Sequence, residues 1–375
     1  NVGDFHTFRV AGEYRNAANK FSAEGTVVPA LGPLNPLQYS NDDLVYDIYS
    51  LSGLWDWRAT PKLRTSAAFR YDYFELEPDG SEFVADFITN LYTLSGQPVP
   101  VQDSDYYQVR EEFSYNLGAV YDLDDKSNLR FAAARGTDLP SFTEFGFQFF
   151  VPGGALDNLA VLGDPNVDTS ITHNFEIGYN RDLSSINGKL KIAAFYQYND
   201  EMQTFEAEVI DLPALDTAFI GNIGDSEAYG LEIGVEGQYR QNFRWGVNYS
   251  VLEVDTDFRD QQTPGAVSST SANFDDSAIS HIFNTHIGYS KGKFHGDLFA
   301  QYKTSFDDIV NDPTAINSFV LNEVNDQIIV NANLRYDITD DLQLSVSGAS
   351  ITGETQQYVE QDAETVIFSS LSYKF

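Results

Sequence analysis

The chain has 375 residues, with 28 Phe, 22 Tyr, one Met and no Cys, and its 22 Lys and Arg against 56 Asp and Glu leave a formal charge of −34. Absent cysteine excludes a disulfide scaffold, thiol catalysis and Cys-ligated zinc, and so negative a chain is a poor partner for nucleic acid, whose phosphates call for Lys and Arg. No run approaches the roughly 20 apolar residues of a membrane helix, yet the mean hydropathy of −0.30 leaves a membrane β-barrel open, because alternating strands average to a hydrophilic value.

Apolar and polar residues alternate along most of the chain, the period of a strand whose successive side chains point to opposite faces. Fourteen strands are predicted, at 5–15, 44–58, 62–77, 106–122, 127–136, 172–182, 188–206, 227–240, 243–255, 279–290, 293–306, 326–338, 341–350 and 366–375. In 62–77 the apolar face is Leu63, Thr65, Ala67, Phe69, Tyr71 and Tyr73, opposed by Arg64, Arg70 and Asp72. The segment 229–240 sets Tyr229, Leu231, Ile233 and Val235 against Glu232 and Glu236, and 327–338 sets Ile328, Val330, Leu334 and Tyr336 against Arg335 and Asp337. Several of these strands pass ten residues, the length of a tilted bilayer crossing at about 9–11. The charged members, Arg64, Arg70, Asp72, Glu232, Glu236, Arg335 and Asp337, are therefore expected to face a lumen.

The connections between strands are sorted by length. Six are tight, at 59–61, 123–126, 183–187, 241–242, around Gly292 and at 339–340. Seven are long, at 16–43, 78–105, 137–171, 207–226, 256–278, 307–325 and 351–365, and long and short alternate without exception. Short turns at one end and long loops at the other is the arrangement of outer-membrane barrels; a soluble β-repeat protein has no reason to adopt it. The last strand returns to the short-turn side, with Leu371, Tyr373 and Phe375 on one face. Many acids fall in the long loops, including Asp42, Asp43, Asp103, Asp105, Asp275, Asp276, Asp307, Asp308, Glu360 and Asp362, where they form a solvated rim, bridge divalent cations to lipopolysaccharide phosphates, or attract a cationic ligand.

Three stretches and the C-terminus resemble a known family. The run Asn128 to Arg135, followed by Gly136-Thr137-Asp138-Leu139-Pro140-Ser141-Phe142-Thr143-Glu144, is similar to a strand and loop start of the TonB-dependent outer-membrane receptors. Leu162-Gly163-Asp164-Pro165-Asn166-Val167-Asp168, then Glu176-Ile177-Gly178-Tyr179, resembles that family's Gly-Asn-Pro loop and Glu-x-Gly-Tyr strand, with Asp164 where Asn is usual and Asp168-Thr169 in place of Pro-Glu. Asn222-Ile223-Gly224, with Gly230-Leu231-Glu232 after it, resembles the family's lead into the next strand, and a terminal Phe375 behind Tyr373 and Leu371 resembles the signal read by the barrel-assembly machinery.

The resemblance implies an all-β transmembrane antiparallel barrel, of which about fourteen strands are visible here as the C-terminal part of a 22-stranded cylinder. Residues 1–375 then form a partial barrel, with the N-terminal plug and the first strands expected on another piece of the same receptor. It also implies TonB-dependent import of a scarce nutrient across the Gram-negative outer membrane. A ferric siderophore is the commonest cargo of the family; oligosaccharide, haem and cobalamin are the alternatives. Partners would be the TonB-ExbB-ExbD system acting through the plug, together with outer-membrane lipid and lipopolysaccharide. No cofactor is implied. A passive, self-closed fourteen-stranded channel is the competing reading, and a structural or adhesive barrel a third.

Within that reading the loop 137–171 is the expected ligand element. It carries Phe142, Phe145, Phe147, Phe149 and Phe150, and exposed aromatics in a polar loop mark a binding surface or a packed cluster. Tyr39, Phe87 and Tyr92 of other long loops are expected to join them. Catalytic and metal-binding spacings are missing: His281 and His286 lie five apart and so face opposite sides of one strand. The chain is expected not to be an enzyme, with His281 at a strand's loop end the one residue placed for rim chemistry.

Overall fold

The computed structural model describes residues 5–20, 43–79, 89, 92–93, 98–99, 101–146, 148–151, 158–212, 215–258, 274–311, 319–353, 355–358 and 361–374. Its strands, in chain order, are β1 (His6–Lys20), β2 (Asp43–Arg58), β3 (Leu63–Asp79), β4 (Gln108–Asp124), β5 (Ser127–Asp138), β6 (Gln148–Val151), β7 (Asn158–Gly163), β8 (Ser170–Leu183), β9 (Gly188–Leu212) and β10 (Leu215–Tyr239). They continue with β11 (Phe243–Phe258), β12 (His281–Lys291), β13 (Phe294–Lys303), β14 (Phe306–Asn311), β15 (Phe319–Val324), β16 (Gln327–Asp337), β17 (Leu342–Ala349), β18 (Thr355–Tyr358), β19 (Gln361–Ala363) and β20 (Val366–Tyr373). Fourteen of them, β1-β2-β3-β4-β5-β8-β9-β10-β11-β12-β13-β16-β17-β20, form one antiparallel wall, each strand bonded to the next. These are the fourteen strands that the alternation predicts. Within the described residues the path is open, β1 at one end and β20 at the other.

The wall is apolar outside and polar inside. Residues directly opposite one another in a ladder share a face, so the pairs Tyr49↔Tyr73, Tyr71↔Phe113, Leu117↔Ala133 and Phe131↔Ile177 put their side chains on one surface. Phe69, Tyr71, Phe113, Phe131, Phe175, Ile177, Tyr229, Ile287, Leu334 and Tyr336 are all exposed there, and Ile367 on β20 reaches 72% exposure. A water-soluble domain buries such residues; a wall that displays them in a continuous band is built for hydrocarbon. No described helix is long and apolar enough to cross a membrane, so any crossing falls to the strands.

Four of the predicted loops hold more order than their length suggests. The connection 207–226 is largely strand: β9 runs on to Leu212 and β10 begins at Leu215, giving two strands of 25 residues. At about 3.3 Å per residue that is roughly 80 Å, well beyond a hydrocarbon core of about 30 Å, so this hairpin stands clear of the wall at the loop end. The alternation Phe205-Glu206-Ala207-Glu208-Val209 carries it, and its glutamates read as solvated loop only when counted without their period. The loop 137–171 contains a short helix, Phe142–Gly146, and the strands β6 and β7. β7 pairs in parallel with the protruding part of β10, Leu215↔Asn158 through Ile220↔Gly163. β14 with β15 and β18 with β19 form small hairpins inside the loops 307–325 and 351–365.

Candidate functional site

At the loop end of the wall, residues of the long loops pack a hydrophobic core onto β2 and β3. At the loop ends of β2 and β3 the alternation fails, because Leu44, Tyr46, Ile48, Phe74 and Leu76, at inward positions, are apolar and buried. Against them pack Tyr92, Val101 and Tyr106 from the loop 78–105 and Phe145, Leu162 and Val167 from the loop 137–171, with Leu139 and Phe142 at the margin. Tyr46 is the centre: its ring lies 4.6 Å from Phe142, 5.8 Å from Phe145 and 5.7 Å from Phe74, and its hydroxyl donates to the Pro140 carbonyl at 2.7 Å.

Local sequence explains how Phe145 arrives there. Ser141 and Glu144 form a reciprocal capping box, the Glu144 amide donating to Ser141 Oγ at 3.4 Å and the Ser141 amide donating to the Glu144 carboxylate, so Pro140-Ser141-x-x-Glu144 starts a helix at this point. The single turn aims Phe145 inward, where Arg110 of β4 lies over its ring at 5.4 Å. Gly163 then lets the chain pass: a Cβ there would stand 2.6 Å from the Phe145 carbonyl. The Asp164 amide donates to the Glu144 carbonyl at 2.9 Å, and Asp164 accepts from the Asn166 amide at 2.8 Å. Burial holds the Asp164 carboxyl above the usual carboxylate range and pushes the Tyr106 hydroxyl far above its ordinary value.

The two downstream motifs meet in space. Asn222 Oδ1 accepts from the Asp168 amide at 2.7 Å, while its Nδ2 donates to the Asp168 carbonyl at 3.1 Å and to the Glu201 carbonyl at 2.9 Å. Gln203 Nε2 adds a second bond to the Asp168 carbonyl, at 2.6 Å. Asn222 sits among successive register shifts of β9 and β10, and such bulges re-aim side chains out of the ladder. Gly224, at φ +154, occupies a conformation that a side chain resists, and a Cβ there would meet the Asp257 carbonyl at 2.1 Å. Asn222 thus ties the strap 164–169 to the root of the long hairpin, and the strap's Asp168 lies 3.9 Å from Arg110.

Below the mouth the inner wall carries charge. Arg70 Nε donates to Asp72 at 2.8 Å and its Nη2 to Ser50 Oγ at 2.8 Å, Ser50 donates in turn to Asp72, and Glu13 approaches Arg70 at 3.3 Å. Asp72 is only 6% exposed, held by this network. Arg64 pairs with Asp122 at 3.5 Å, Arg130 with Glu176 at 3.2 Å, and Asp337 meets His295 at 3.1 Å and Arg335 at 3.9 Å. Glu232 and Glu236 occupy the same face of β10, with Glu236 directly across from Lys189. All the charged positions expected to line a lumen fall on this one face.

The ligand expectation is corrected for two of its residues. Phe145 and Tyr92 are fully buried in the mouth core and offer nothing to an arriving molecule; Phe142 is half-buried against it. Phe142 and Phe145 bury more area by packing on β2 and β3 than by facing water. Phe149 and Phe150 are strand residues of β6, whose side chains lie outside the described set, as do Tyr39, Phe87 and Phe147. His281 faces outward, stacked on Tyr249 at 6.0 Å with a 2.8 Å hydrogen bond from ring nitrogen to hydroxyl, away from the mouth. On β20, Leu371 and Tyr373 point outward from the edge, and Phe375 lies outside the described residues. Tyr46, Phe74, Leu76 and Arg110 were not singled out from sequence, although the loss of alternation at 44–48 and 71–76 marks where strands become apolar on both faces.

Residues 1–349 match the family described as TonB dependent receptor-like, beta-barrel. A curated relative, the rhizobactin receptor of Rhizobium meliloti (strain 1021), is 24% identical over 208 residues, 52% of this chain and 27% of that protein. Among solved structures, the siderophore receptor PirA from Acinetobacter baumannii superposes with a TM-score of 0.68 at 11% identity, over 99% of this chain and 52% of its own. The copper transporter OprC gives 0.61 at 12% identity, over 88% and 48%. The chain therefore spans about half the length of the structures it matches. By its family match and by its fold it belongs to the β-barrels of the TonB-dependent receptors, a family of transport receptors of the Gram-negative outer membrane.

Proposed function

We propose that the chain forms the C-terminal wall of an importer that carries a ferric siderophore across the outer membrane, driven by TonB-ExbB-ExbD through a plug on another part of the same receptor. The observation that carries the reading is the family match over residues 1–349, and two relatives named for rhizobactin and for siderophores agree with it. The open path from β1 to β20 supports the expectation of further strands, since unpaired strand edges are not tolerated in lipid. It also counts against the self-closed channel. Phe375, Tyr373 and Leu371 would serve as the assembly signal, and Phe142, Phe147, Phe149, Phe150 and Tyr39 remain the aromatic candidates for cargo contact.

The test is uptake. Cells lacking the gene should lose growth and iron-chelate accumulation under iron limitation, and wild-type accumulation should stop when the proton gradient is collapsed. Unchanged growth and uptake under iron limitation would refute the siderophore reading. Steady ion conductance by the purified chain alone would favour the passive channel.

A further inference from the structure

The charge of this chain is not spread over its surface. The seven long connections contain 29 Asp and Glu against two basic residues, Lys20 and Arg259, whereas all other residues together hold 27 acids and 20 Lys and Arg. Since the wall is antiparallel, every long connection leaves from the same end. Along this part of the mouth the described residues of those connections carry 20 acids and one basic residue, Lys20, and a rim lined by one sign of charge focuses its field on whatever approaches, changing encounter rates by about 10- to 1000-fold.

A second observation concerns what lies inside that rim. Of the inward arginines in the loop half, Arg70 and Arg110 each face a carboxylate of the protein itself: Asp72 at 2.8 Å and Asp168 at 3.9 Å. Lys303 is half-buried, its ammonium 5.0 Å over the Phe306 ring. Arg15, by the free edge at β1, is the inward arginine for which no such pair is seen among the described residues. In the loop half of the wall from β8 to β17 the inward polar groups are largely neutral: Thr172 donates to Asn199 at 2.9 Å, Asn199 to Ser226 at 2.9 Å, Gln301 to Asn284 at 2.8 Å and Asn333 to Ser347 at 2.7 Å. Amides and hydroxyls hold further donors and acceptors in reserve and add no charge.

Building on the import reading above, we infer that the cargo is an uncharged or cationic metal chelate, and that anionic chelates are turned away at the rim. For iron(III) this is a division by ligand chemistry. Three hydroxamates, each losing one proton, give a neutral complex, whereas three catecholates, each losing two, give a trianion. The acidic rim repels the second before it meets any contact group, and the amide and hydroxyl wall satisfies the carbonyl and N–O oxygens of the first.

The test uses the complete receptor in outer-membrane vesicles, with panels of iron-loaded linear and cyclic trihydroxamates and of iron-loaded tricatecholates. A neutral chelate should bind with an affinity that salt leaves unchanged, and every tricatecholate should bind at least about tenfold more weakly at low ionic strength, the gap closing as salt screens the rim. The triple variant Asp257→Lys, Asp307→Lys and Glu364→Lys should narrow that gap several-fold at low salt without altering neutral-chelate binding. A tricatecholate that binds as tightly as the neutral chelates at low salt, or a gap that ignores both salt and the triple variant, overturns the inference and leaves iron-chelate import standing. Binding of neither class refutes the siderophore reading itself.

Discussion

The same two strands, β2 and β3, do opposite things at their two ends. In the middle of the wall their inward side chains are Ser50, Arg70 and Asp72, which hold one another in a polar network; toward the loops they are Tyr46, Ile48, Phe74 and Leu76, which are buried under Phe145 and Tyr92. The difference follows from what covers them. Where loops fold back over the wall, apolar side chains gain by leaving water. Where no described residue covers it, the wall keeps charges in matched sets, because a buried unmatched charge is costly.

The sharpest test of that contrast removes the keystone of the covered end. Phe145→Ala should cost the mouth about 3–5 kcal/mol, read as faster hydrogen exchange in 139–168 and around Tyr46 while the strands below keep their protection. If protection falls equally throughout the wall, mouth and wall are one cooperative unit and the contrast fails. Next in size is the clamp. Asn222→Ala breaks three hydrogen bonds and strands the Asp168 amide, an expected loss of about 2–3 kcal/mol at about 1 kcal/mol per bond. Proteolysis should then cut near 164–169 first.

On the uncovered side, Asp72→Asn keeps shape but removes the charge that Arg70 and Ser50 share, an expected cost of about 1–2 kcal/mol. Heat modifiability on a gel would show it as a lower unfolding temperature with the mouth's exchange unaltered. Arg64→Gln should change stability by less than about 1 kcal/mol, because the Arg64–Asp122 pair is more than a third exposed on both sides; a larger loss would mean that exposed inner charges carry the wall.

The smallest effect is a slope with pH. Burial raises the Asp164 carboxyl above its ordinary value, so the folded mouth prefers the protonated acid. Its stabilisation is complete below the unfolded carboxylate pKa and is lost as pH rises through the raised one. Mouth protection from exchange should therefore increase on acidification from neutral pH, and Asp164→Asn should flatten that component while leaving protection at pH 7 at least as high. A slope that survives in the variant would mean that Asp164 is not its source.

Much of the wall could be read before any coordinates. Alternation such as Phe69-Arg70-Tyr71-Asp72-Tyr73 assigns faces residue by residue, and all fourteen wall strands and the inward charges Arg64, Arg70, Asp72, Glu232, Glu236 and Arg335 follow from it. The mouth was less legible. Phe145 and Tyr92 look like ligand contacts because composition marks them as aromatic and loop position marks them as exposed. Only the fold shows that they have a wall to pack on. The Asn222 clamp was visible as a motif and silent as to purpose, since its partner Asp168 is 54 residues away.

The sequence by itself determined what is periodic or local: strand number and direction, which face meets lipid, where the acids gather, and the helix start at Ser141. Each depends on neighbours within a few residues, so a one-dimensional pattern carries it. Tertiary structure decided what depends on distant segments sharing one space: that parts of the loops 78–105 and 137–171 pack on the loop ends of β2 and β3, that β9 and β10 extend beyond the wall with β7 beside them, and that Arg110, Phe145 and Asp168 converge. Those contacts join residues brought together by barrel curvature, a property of the whole sheet that no single stretch of it encodes.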